Sequence, residues 1–461
     1  MTKKSGGKSQ PKRPPKGSNP RIEAARAYTR FLQGQGLPSA PPAAMTQEED
    51  RRFFQNLLST LVRHRRLLAE LTTRFAGRPV DQLDPSVAAL AALGLAQLRF
   101  LPHIPAHAAL FETVEATAAL GVGRARGMVN GLLRNAQRKL QGTEAPRWPE
   151  EAELPLAVAE SYPDWMVNRW QTRLGEEATG NLCREGNRFE GVTLRVETRR
   201  IGMEELMTRL GEEGVETFRH PLWSRMLTTT QTGLLIRSQP FRQGLCYIQD
   251  ASSQVLMGWV SPRMSGRVLD VAAAPGGKLG WLAGLEKGRP WLAGADHDPG
   301  RLAMVRENLT RLRLPPAALL AADGRALPFP HRVMNGVVVD APCSATGQIR
   351  KYPELKWQRR LEDLTGYVEK QSVMLAEAGR VTAPGGIVLY ITCSLEPEEN
   401  EDQVEAFLKT HPHFHRVSFG TLPPPEGLNG PGRFITRKGD FQVYPGDHIM
   451  GLYAAFLRRE G

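Results

Sequence analysis

From Gly266 onward, short apolar segments alternate with helical segments at the spacing of βα units. The segments expected to form strands are 267–271, 291–296, 318–323, 337–340 and 386–393. This alternation predicts an α/β domain with a parallel sheet and right-handed crossovers. Ligands of such sheets bind at the carboxyl ends of the strands. The residues at those ends are therefore the first candidates for a functional site.

Two of these segments end at a polar turn that carries a cysteine. Cys343 lies in the run Asp-Ala-Pro-Cys-Ser after the segment 337–340, and Cys393 lies in the run Thr-Cys-Ser at the end of the last segment. Two thiols at one sheet edge, beside Asp340, predict nucleophilic catalysis on a single substrate. The alternative is that both are small buried hydrophobic residues, because free cysteine is often buried.

A glycine-rich turn follows the first predicted strand. Its residues are Ala272, Ala273, Ala274, Pro275, Gly276, Gly277 and Lys278. Backbone N–H groups in such a turn can approach a bound anion closely. The turn matches neither the P-loop pattern nor the dinucleotide pattern G-x-G-x-x-G, which disfavours nucleotide hydrolysis and hydride transfer.

Aspartates end the next two predicted strands. Asp296 is placed to accept both hydroxyls of a ribose, and Asp323 is placed to accept the amino group of an adenine. The ordinary alternative for an aspartate at a strand end is a helix N-cap. Two such acids above one glycine-rich turn predict an adenosyl cofactor, and we expect S-adenosylmethionine.

Methyl transfer to carbon 5 of a pyrimidine would explain the need for cysteines. A thiolate that adds to carbon 6 converts the ring into an enamine, and carbon 5 can then attack a methyl sulfonium. Loss of the carbon 5 proton and expulsion of the thiolate restore the base. Asp340 is placed to hydrogen-bond N3 and the exocyclic amine, which would select cytosine over uracil.

The chain divides into four segments by composition and periodicity. Residues 1–19 form a basic tail with six Lys and Arg and no acid, which predicts disorder. Residues 20–144 show helical periodicity and predict an all-α bundle. Residues 145–262 begin with a linker at 145–149 and continue as a small α+β module. Residues 263–461 hold the α/β domain.

The overall charge favours a polyanionic partner. The formal net charge is +12. Basic residues on the last helix expected in the bundle suit phosphate contact, although a solvated helix face is the alternative. They are Arg124, Arg126, Arg134, Arg138 and Lys139. No run is long enough to span a bilayer and no secretory signal is present, so we expect a cytoplasmic protein. We also expect a monomer. The cysteine spacing does not indicate a metal site.

Both cysteine motifs resemble the signature motifs of RNA cytosine-C5 methyltransferases of the NOL/NOP/Sun family. The matching runs are Asp340 to Ser344 with Gly347-x-x-Arg350-x-x-Pro353, and Thr392-Cys393-Ser394 with Glu398 to Glu401. The turn at 272–278 is similar to the family's cofactor loop. The resemblance implies that Cys393 is the nucleophile. It also implies that Cys343 helps to release the adduct, with abstraction of the carbon 5 proton as one route.

The resemblance extends upstream. Residues 104–115 and 129–134 resemble the NusB-type RNA-binding domain, and residues 161–165 and 247–254 resemble the connecting module of the family. The order of these parts is that of the bacterial 16S ribosomal RNA methyltransferases of the Sun/RsmB type. It implies a NusB-like bundle, a connecting module and a Rossmann-like catalytic domain, with 16S ribosomal RNA as the partner.

Basic residues follow the first cysteine motif. Arg350, Lys351 and Lys356 are expected to contact phosphates beside an extruded base, with a solvated loop as the alternative. Two other functions stay open. One is the same chemistry on 23S ribosomal RNA or tRNA. The other is a non-catalytic RNA-binding assembly factor, which the presence of Asp340 and both thiols disfavours.

Overall fold

The computed structural model of the chain describes residues 19–140, 148, 151, 153–188, 191–286, 288–446 and 448–461. The chain divides into two compact units, one ending at Gly175 and the other beginning at Glu176. The expected disordered tail lies outside the described residues except for Asn19. The expected linker lies outside them except for Trp148.

The first unit is a helical bundle, as predicted. Its helices are α1 (Pro20–Leu32), α2 (Glu48–Arg63), α3 (Arg65–Ala76), α4 (Pro85–Phe100), α5 (Ala106–Ala119), α6 (Arg126–Lys139), α7 (Leu156–Ala159) and α8 (Asp164–Leu174). Helix α4 is buried on nearly every side and forms the centre of the bundle. Gly94 on α4 permits the close approach of α6, because a Cβ there would lie 2.4 Å from Leu133 Cδ2.

One continuous helix was expected across residues 156–174, and that expectation is wrong. The chain turns between α7 and α8, where Ser161 has a positive φ of 57° and Pro163 precedes α8. Proline lacks the N–H that a helix interior requires, so the break is encoded locally. Both helices belong to the first compact unit.

The second unit begins with a small α+β module, also as predicted. Strands β1 (Val192–Val196), β2 (Phe218–Arg219), β3 (Met226–Thr229) and β4 (Cys246–Ile248) form an antiparallel sheet in the order β2-β3-β1-β4. The accompanying helices are α9 (Glu176–Asn187), α10 (Met203–Glu212), α11 (Thr232–Leu235), α12 (Gln239–Arg242) and α13 (Ala251–Val260). The core of the module contains the fully buried Leu194, Leu206 and Leu227.

The large sheet of the second unit has the order β10-β12-β9-β8-β5-β6-β7, with β11 beside β12. Its strands are β5 (Arg267–Val271), β6 (Trp291–Asp296), β7 (Ala318–Ala321), β8 (Met334–Asp340), β9 (Thr382–Thr392), β10 (Phe414–Arg416), β11 (Phe441–Val443) and β12 (Leu452–Arg459). Strands β5 to β9 are parallel, as predicted. Strand β12 runs antiparallel to β9, β10 and β11, so the sheet is mixed rather than wholly parallel.

The helices of this domain are α14 (Gly277–Ala283), α15 (Pro299–Arg311), α16 (Leu355–Gln358), α17 (Asp363–Val381) and α18 (Glu401–Thr410). Strand β8 pairs with β5 on one side and with β9 on the other, with Val339 opposite both Val271 and Tyr390. The turns that follow these three strands therefore meet at one edge of the sheet. Among the described residues, no helix combines the length and apolarity that a bilayer crossing requires.

Candidate active site

The two motif cysteines meet at the carboxyl edge of the large sheet. The Sγ atoms of Cys343 and Cys393 lie 3.2 Å apart, although the residues are 50 positions apart in sequence. Both are half-buried, whereas Cys183 and Cys246 are fully buried. The hydrogen bond with Cys393, then burial, raises the pKa of Cys343 well above its ordinary value. Cys343 therefore keeps its proton near neutral pH and can donate it in a hydrogen bond to the Cys393 sulfur.

One buried carboxylate connects the two cysteine turns. Glu399 accepts hydrogen bonds from the Ser344 N–H at 2.8 Å and from Gln371 Nε2 at 3.0 Å. It also accepts from the hydroxyls of Ser344 and Ser394, and each serine directly follows a motif cysteine. The two hydroxyl oxygens are 2.9 Å apart. Because Glu399 is completely buried, these charge-assisted bonds hold the two turns at a fixed separation.

The second cysteine turn is held from both sides by Asn400. The Thr392 hydroxyl donates to Asn400 Oδ1 at 2.5 Å, and Asn400 Nδ2 donates to the Ser394 carbonyl at 3.0 Å. The residues before and after Cys393 are thus attached to one buried amide. This attachment fixes the direction in which the thiol leaves the backbone.

Three backbone segments cross at Gly347. Its N–H donates to the Cys393 carbonyl at 2.9 Å, and its carbonyl accepts from the Gly451 N–H at 3.0 Å. A Cβ on Gly347 would lie 2.8 Å from the Cys393 oxygen and 2.8 Å from the Gly451 Cα. Any side chain at 347 would therefore force these segments apart, which accounts for the glycine in the motif.

Lys278 connects the glycine-rich turn to the first cysteine motif. Its Nζ lies 2.5 Å from Asp340 Oδ2, and Asp340 keeps 37% of its side chain exposed. Burial lowers the pKa of Lys278, but the charge and hydrogen bond of Asp340 outweigh it and raise the pKa above its ordinary value. Cys393 adds to this effect. A cation therefore lies close enough to Cys393 to interact with it electrostatically, and it can stabilise a thiolate there.

A cavity of about 160 Å³ opens beside this ion pair. The expected residues that line it are Ala272, Ala273, Ala274, Pro275, Gly277, Lys278 and Asp340. The connecting module adds Tyr247, Ile248, Gln249, Asp250 and Ser253. Gly276 does not line the cavity but forms the turn itself, with a φ of 100°. The expected cofactor turn and Asp340 are thus brought together.

Asp270, at the end of β5, also lines this cavity. Burial raises its pKa to about 7, against the lowering effect of Lys278. Its Oδ1 is buried and has no hydrogen-bond partner among the described residues. An orphaned carboxylate oxygen fits a ligand that brings a cationic donor. The α-ammonium group of S-adenosylmethionine is such a donor, so the donor set suits that cofactor.

The two other acids expected at the cofactor lie outside the lining of this cavity. Asp296 is buried at the end of β6 and accepts from the N–H groups of Asp298 at 3.1 Å and Ala274 at 3.4 Å. Asp323 is nearly half exposed and pairs with Arg325, which lowers its pKa to about 2. Asp298, rather than Asp296, caps α15. The ribose and adenine contacts of Asp296 and Asp323 stay predictions.

Two of the three basic residues expected to contact RNA phosphates are buried. Lys356 has no exposed surface, and its Nζ donates to Asn187 Oδ1 at 2.6 Å. Arg350 Nε donates to the Arg188 carbonyl at 2.8 Å. The expectation of surface cations is wrong for these two residues, because both fasten the first motif to the end of α9. Lys351 is exposed, and its contact with RNA phosphates stays a prediction.

The basic residues of α6 lie on the surface of the first unit. Arg134, Arg138 and Lys139 are exposed, and Arg134 Nε donates to Asn130 Oδ1 at 3.1 Å. Arg126 pairs with Glu115 of α5. This placement is compatible both with phosphate contact and with the alternative of a solvated helix face.

Sequence patterns do not single out Glu399 or Gln371 as site residues. The run Glu398 to Glu401 offers several polar side chains, and nothing in the spacing says which of them faces the thiols. Asp270 did carry a signal, since it is a charged residue inside an apolar strand directly before the glycine-rich turn.

Three family models match successive parts of the chain. The NusB family matches residues 19–138, the ferredoxin-like domain of RsmF/B-like methyltransferases matches residues 162–233, and the 16S rRNA methyltransferase RsmB/F model matches residues 257–458. The chain is 32% identical over 460 residues to the ribosomal RNA small subunit methyltransferase B of Vibrio cholerae, covering 96% of this chain and 98% of the relative. It is 33% identical over 413 residues to that of Erwinia tasmaniensis, covering 88% and 94%.

Solved structures share the fold. NSun6 from Pyrococcus horikoshii with SFG has a TM-score of 0.56 at 20% identity and covers 66% of this chain and 99% of its own. A methyltransferase homolog protein from the same organism has a TM-score of 0.55 at 26% identity and covers 68% and 100%. The fold of this chain is thus similar to that of NSun6 and of a methyltransferase homolog.

Proposed function

Because this chain belongs to the RsmB/F family of S-adenosylmethionine-dependent RNA methyltransferases, we propose that it methylates carbon 5 of a cytosine in 16S ribosomal RNA. The observation that carries the proposal is the pair of thiols 3.2 Å apart at the edge that also holds Asp340 and the cofactor turn. The names of the relatives support small-subunit ribosomal RNA as the substrate. The same chemistry on 23S ribosomal RNA or tRNA is the alternative.

Cys393 is the proposed nucleophile. Cys343 holds its proton and can donate to the Cys393 sulfur, and Lys278 supplies a positive charge nearby, so the two thiols are electrostatically unequal. The Cys393 thiolate adds to carbon 6, and the ring electrons then make carbon 5 nucleophilic. When bound, S-adenosylmethionine supplies the electrophilic methyl group.

Asp340 is the proposed reader of the base. One of its oxygens is held by Lys278, and more than a third of the side chain is exposed. A carboxylate in this position can accept a hydrogen bond from the exocyclic amine of cytosine, which uracil lacks. The neighbouring Lys278 ammonium can offset negative charge that develops on the ring after the sulfur has added.

Cys343 is the proposed release residue. Release requires removal of the carbon 5 proton and departure of the Cys393 sulfur. The raised pKa of Cys343 supports assistance to the second event, because a thiol that holds its proton can donate a hydrogen bond to the departing sulfur. Cys343 could take the carbon 5 proton only after losing its own.

The roles of the two cysteines can be distinguished by trapping the covalent protein–RNA adduct. Cys343→Ala should accumulate a protein–RNA complex that survives denaturing electrophoresis and disappears in the double variant with Cys393→Ala. Cys393→Ala alone should abolish methyl transfer from labelled cofactor while RNA binding persists. Cys183→Ala, which removes a buried thiol outside the site, is the control. Substantial turnover by Cys393→Ala would exclude the assignment.

The RNA target is testable separately. Bisulfite mapping of total RNA from a deletion strain should show loss of one 5-methylcytosine in 16S ribosomal RNA. Loss of a mark in tRNA or 23S ribosomal RNA instead would favour the alternative substrate. We further propose that Arg134 and Lys351 contact RNA phosphates and that the reaction takes place in the cytoplasm, where ribosomal RNA is made.

A further inference from the structure

A second and larger cavity, of about 660 Å³, lies in the unit that begins at Glu176. Its walls come from the end of β1, from α13 and the turn after it, from α14 and from residues 423–426. It shares no lining residue with the cavity at the cofactor turn. Cavities of this size between structural modules are typical places for ligands to bind.

Two tryptophans form the aromatic part of this cavity. The rings of Trp223 and Trp281 are stacked, with centroids 6.4 Å apart and planes inclined by 30°. Trp281 Nε1 donates to Ser261 Oγ at 3.1 Å, and Trp223 Nε1 donates to the Glu426 carbonyl at 2.9 Å. Since both indole donors already have partners, a ligand would meet π surface rather than hydrogen bonds. That surface belongs to Trp281, because Trp223 is only 4% exposed.

The backbone makes room for these rings. A Cβ on Gly258 of α13 would lie 2.6 Å from Trp223 Cη2, so only glycine allows that indole to pack there. Trp223 is thereby held in a fixed position, and Trp281 stacks on it. A fixed aromatic surface binds a planar ligand at a smaller entropic cost than a mobile one.

Arginines outnumber acids around the cavity. Four arginines and three glutamates line it. Arg195 is neutralised by Glu197, with 2.9 Å between Nη2 and Oε1. Arg263 differs, because its Nη1 donates to the Trp259 carbonyl at 2.9 Å and no ion pair is recorded for it among the described residues. Burial alone lowers its pKa. A bound anion would compensate this charge.

We propose that this cavity binds one unpaired nucleotide of the RNA substrate, with its base against Trp281, which stacks on Trp223, and its phosphate on Arg263. The inference rests on the proposed RNA substrate. Aromatic side chains bind unstacked bases with little sequence preference, and guanidinium groups suit phosphate oxygens. A nucleotide therefore matches the cavity, because its base suits the aromatic surface and its phosphate suits the guanidinium group.

The cavity is close to the reaction site along α14. Trp281 follows Lys278 by one turn of that helix, a rise of about 5 Å. Arg195 also connects the two places, since its Nη1 donates to the Gly277 carbonyl at 2.9 Å and to Gln249 Oε1 at 3.0 Å. A strand whose target base is extruded at the thiols can thus place a flanking nucleotide here, which would anchor the strand beside the target.

Substitution of Trp281 tests the aromatic contact. With transcribed small-subunit ribosomal RNA as substrate, Trp281→Leu should raise the KM for RNA by roughly tenfold, equivalent to about 1.4 kcal/mol. Trp281→Phe should stay near the wild-type KM, because it keeps an aromatic face. Trp291→Leu is the matched control. It removes a 51% exposed tryptophan at the start of β6, whereas ligands of the sheet bind at the carboxyl ends of the strands. The KM for S-adenosylmethionine should not change in any of them.

Substitution of Arg263 tests the phosphate contact by binding alone. Fluorescence anisotropy with a labelled single-stranded fragment of the same RNA gives the slope of log affinity against log salt. Arg263→Gln should reduce the magnitude of that slope by about 0.7, and Arg263→Lys should restore it. Arg267→Gln, an exposed arginine at the start of β5, is the control and should leave the slope unchanged.

The inference is overturned if Trp281→Leu and Trp291→Leu give the same KM for RNA, or if Arg263→Gln keeps the wild-type salt slope. If Trp281→Leu lowers the melting temperature enough to impair folding, the salt dependence of RNA binding by Arg263→Gln decides whether the inference holds. If the wild-type protein binds RNA but methylates no cytosine, the proposed function fails. The anisotropy experiment then still decides whether the cavity holds a nucleotide.

Discussion

Replacement of Glu399 by glutamine should slow methyl transfer without weakening cofactor binding. The carboxylate accepts four hydrogen bonds from the two cysteine turns and from Gln371, and it is fully buried. Glutamine keeps the shape, but it loses the charge and one acceptor. Its amide oxygen must face the Ser344 N–H and the Gln371 Nε2, since these two groups can only donate. The two serine hydroxyls must then reorient to accept from the amide nitrogen.

The expected losses of stability and of rate follow from these contacts. A hydrogen bond to a charged group contributes about 1.5–3 kcal/mol, against about 0.5–1.5 kcal/mol for a neutral one. The loss of charge assistance at four bonds, partly offset by the lower cost of burying an amide, should reduce the free energy of unfolding by about 1–3 kcal/mol. The thiol separation should relax as well, and a displacement of about 1 Å can cost a hundredfold in rate. We expect kcat to fall ten- to a hundredfold.

Urea unfolding and single-turnover methyl transfer measure the two effects. A third measurement distinguishes an electrostatic role from a purely structural one. Glu399 contributes to the raised pKa of Cys343, so Glu399→Gln should lower the pKa of that thiol toward its ordinary value. The rate of alkylation of Cys343 against pH, measured in a Cys393→Ala background, reports this shift.

Glu405→Gln is the matched control. Glu405 lies on α18 and is about half exposed. It pairs with Lys438, which is also half exposed, and with the less exposed Arg416. Exposed ion pairs contribute little, so its loss should change stability by less than about 1 kcal/mol and leave the rate unchanged. The reasoning is refuted if Glu399→Gln matches Glu405→Gln in both stability and rate.

Two further predictions concern the cofactor side of the site. The folded-state pKa of Asp270 is raised to about 7, so its contribution to stability is present at acidic pH and is lost as the pH rises through 7. In the wild-type protein the free energy of unfolding should therefore fall by up to about 1.4 kcal/mol per pH unit between about pH 4 and 7, and Asp270→Asn should remove this slope. Urea unfolding of both proteins across that range measures it, and identical profiles would contradict the prediction. Asp296→Ala should weaken S-adenosylmethionine roughly tenfold by calorimetry; unchanged affinity would reject the ribose contact.

The sequence predicts well where apolar runs end at strong local signals. The bounds of β5 and β6 agree with expectation, because the glycine-rich turn follows β5 directly and Asp296 ends β6. Both cysteine turns lie at the sheet edge for the same reason. Strands β10 and β11 have only three residues each, too few to show a period, and their pairing with β12 depends on distant parts of the chain.

Charge patterns do not show which charged side chains are exposed and which are buried, because burial is a property of the folded chain. Lys351 and Lys356 look equivalent in sequence, yet Lys351 is exposed, whereas Lys356 is buried and donates to Asn187, which is 169 residues away. No local spacing contains that information. The same holds for Glu399, whose role depends on a serine 55 positions upstream.

The attachment of Arg350 and Lys356 to the end of α9 has a consequence for how such proteins can be rearranged during evolution. The connecting module holds the first cysteine motif through Asn187 and Arg188, and it also supplies a wall of the cofactor cavity. A recombination event that joined the catalytic domain to a foreign module would lose both functions at once. The smallest portion that can be inherited intact therefore begins near Glu176, well before the first strand of the catalytic sheet.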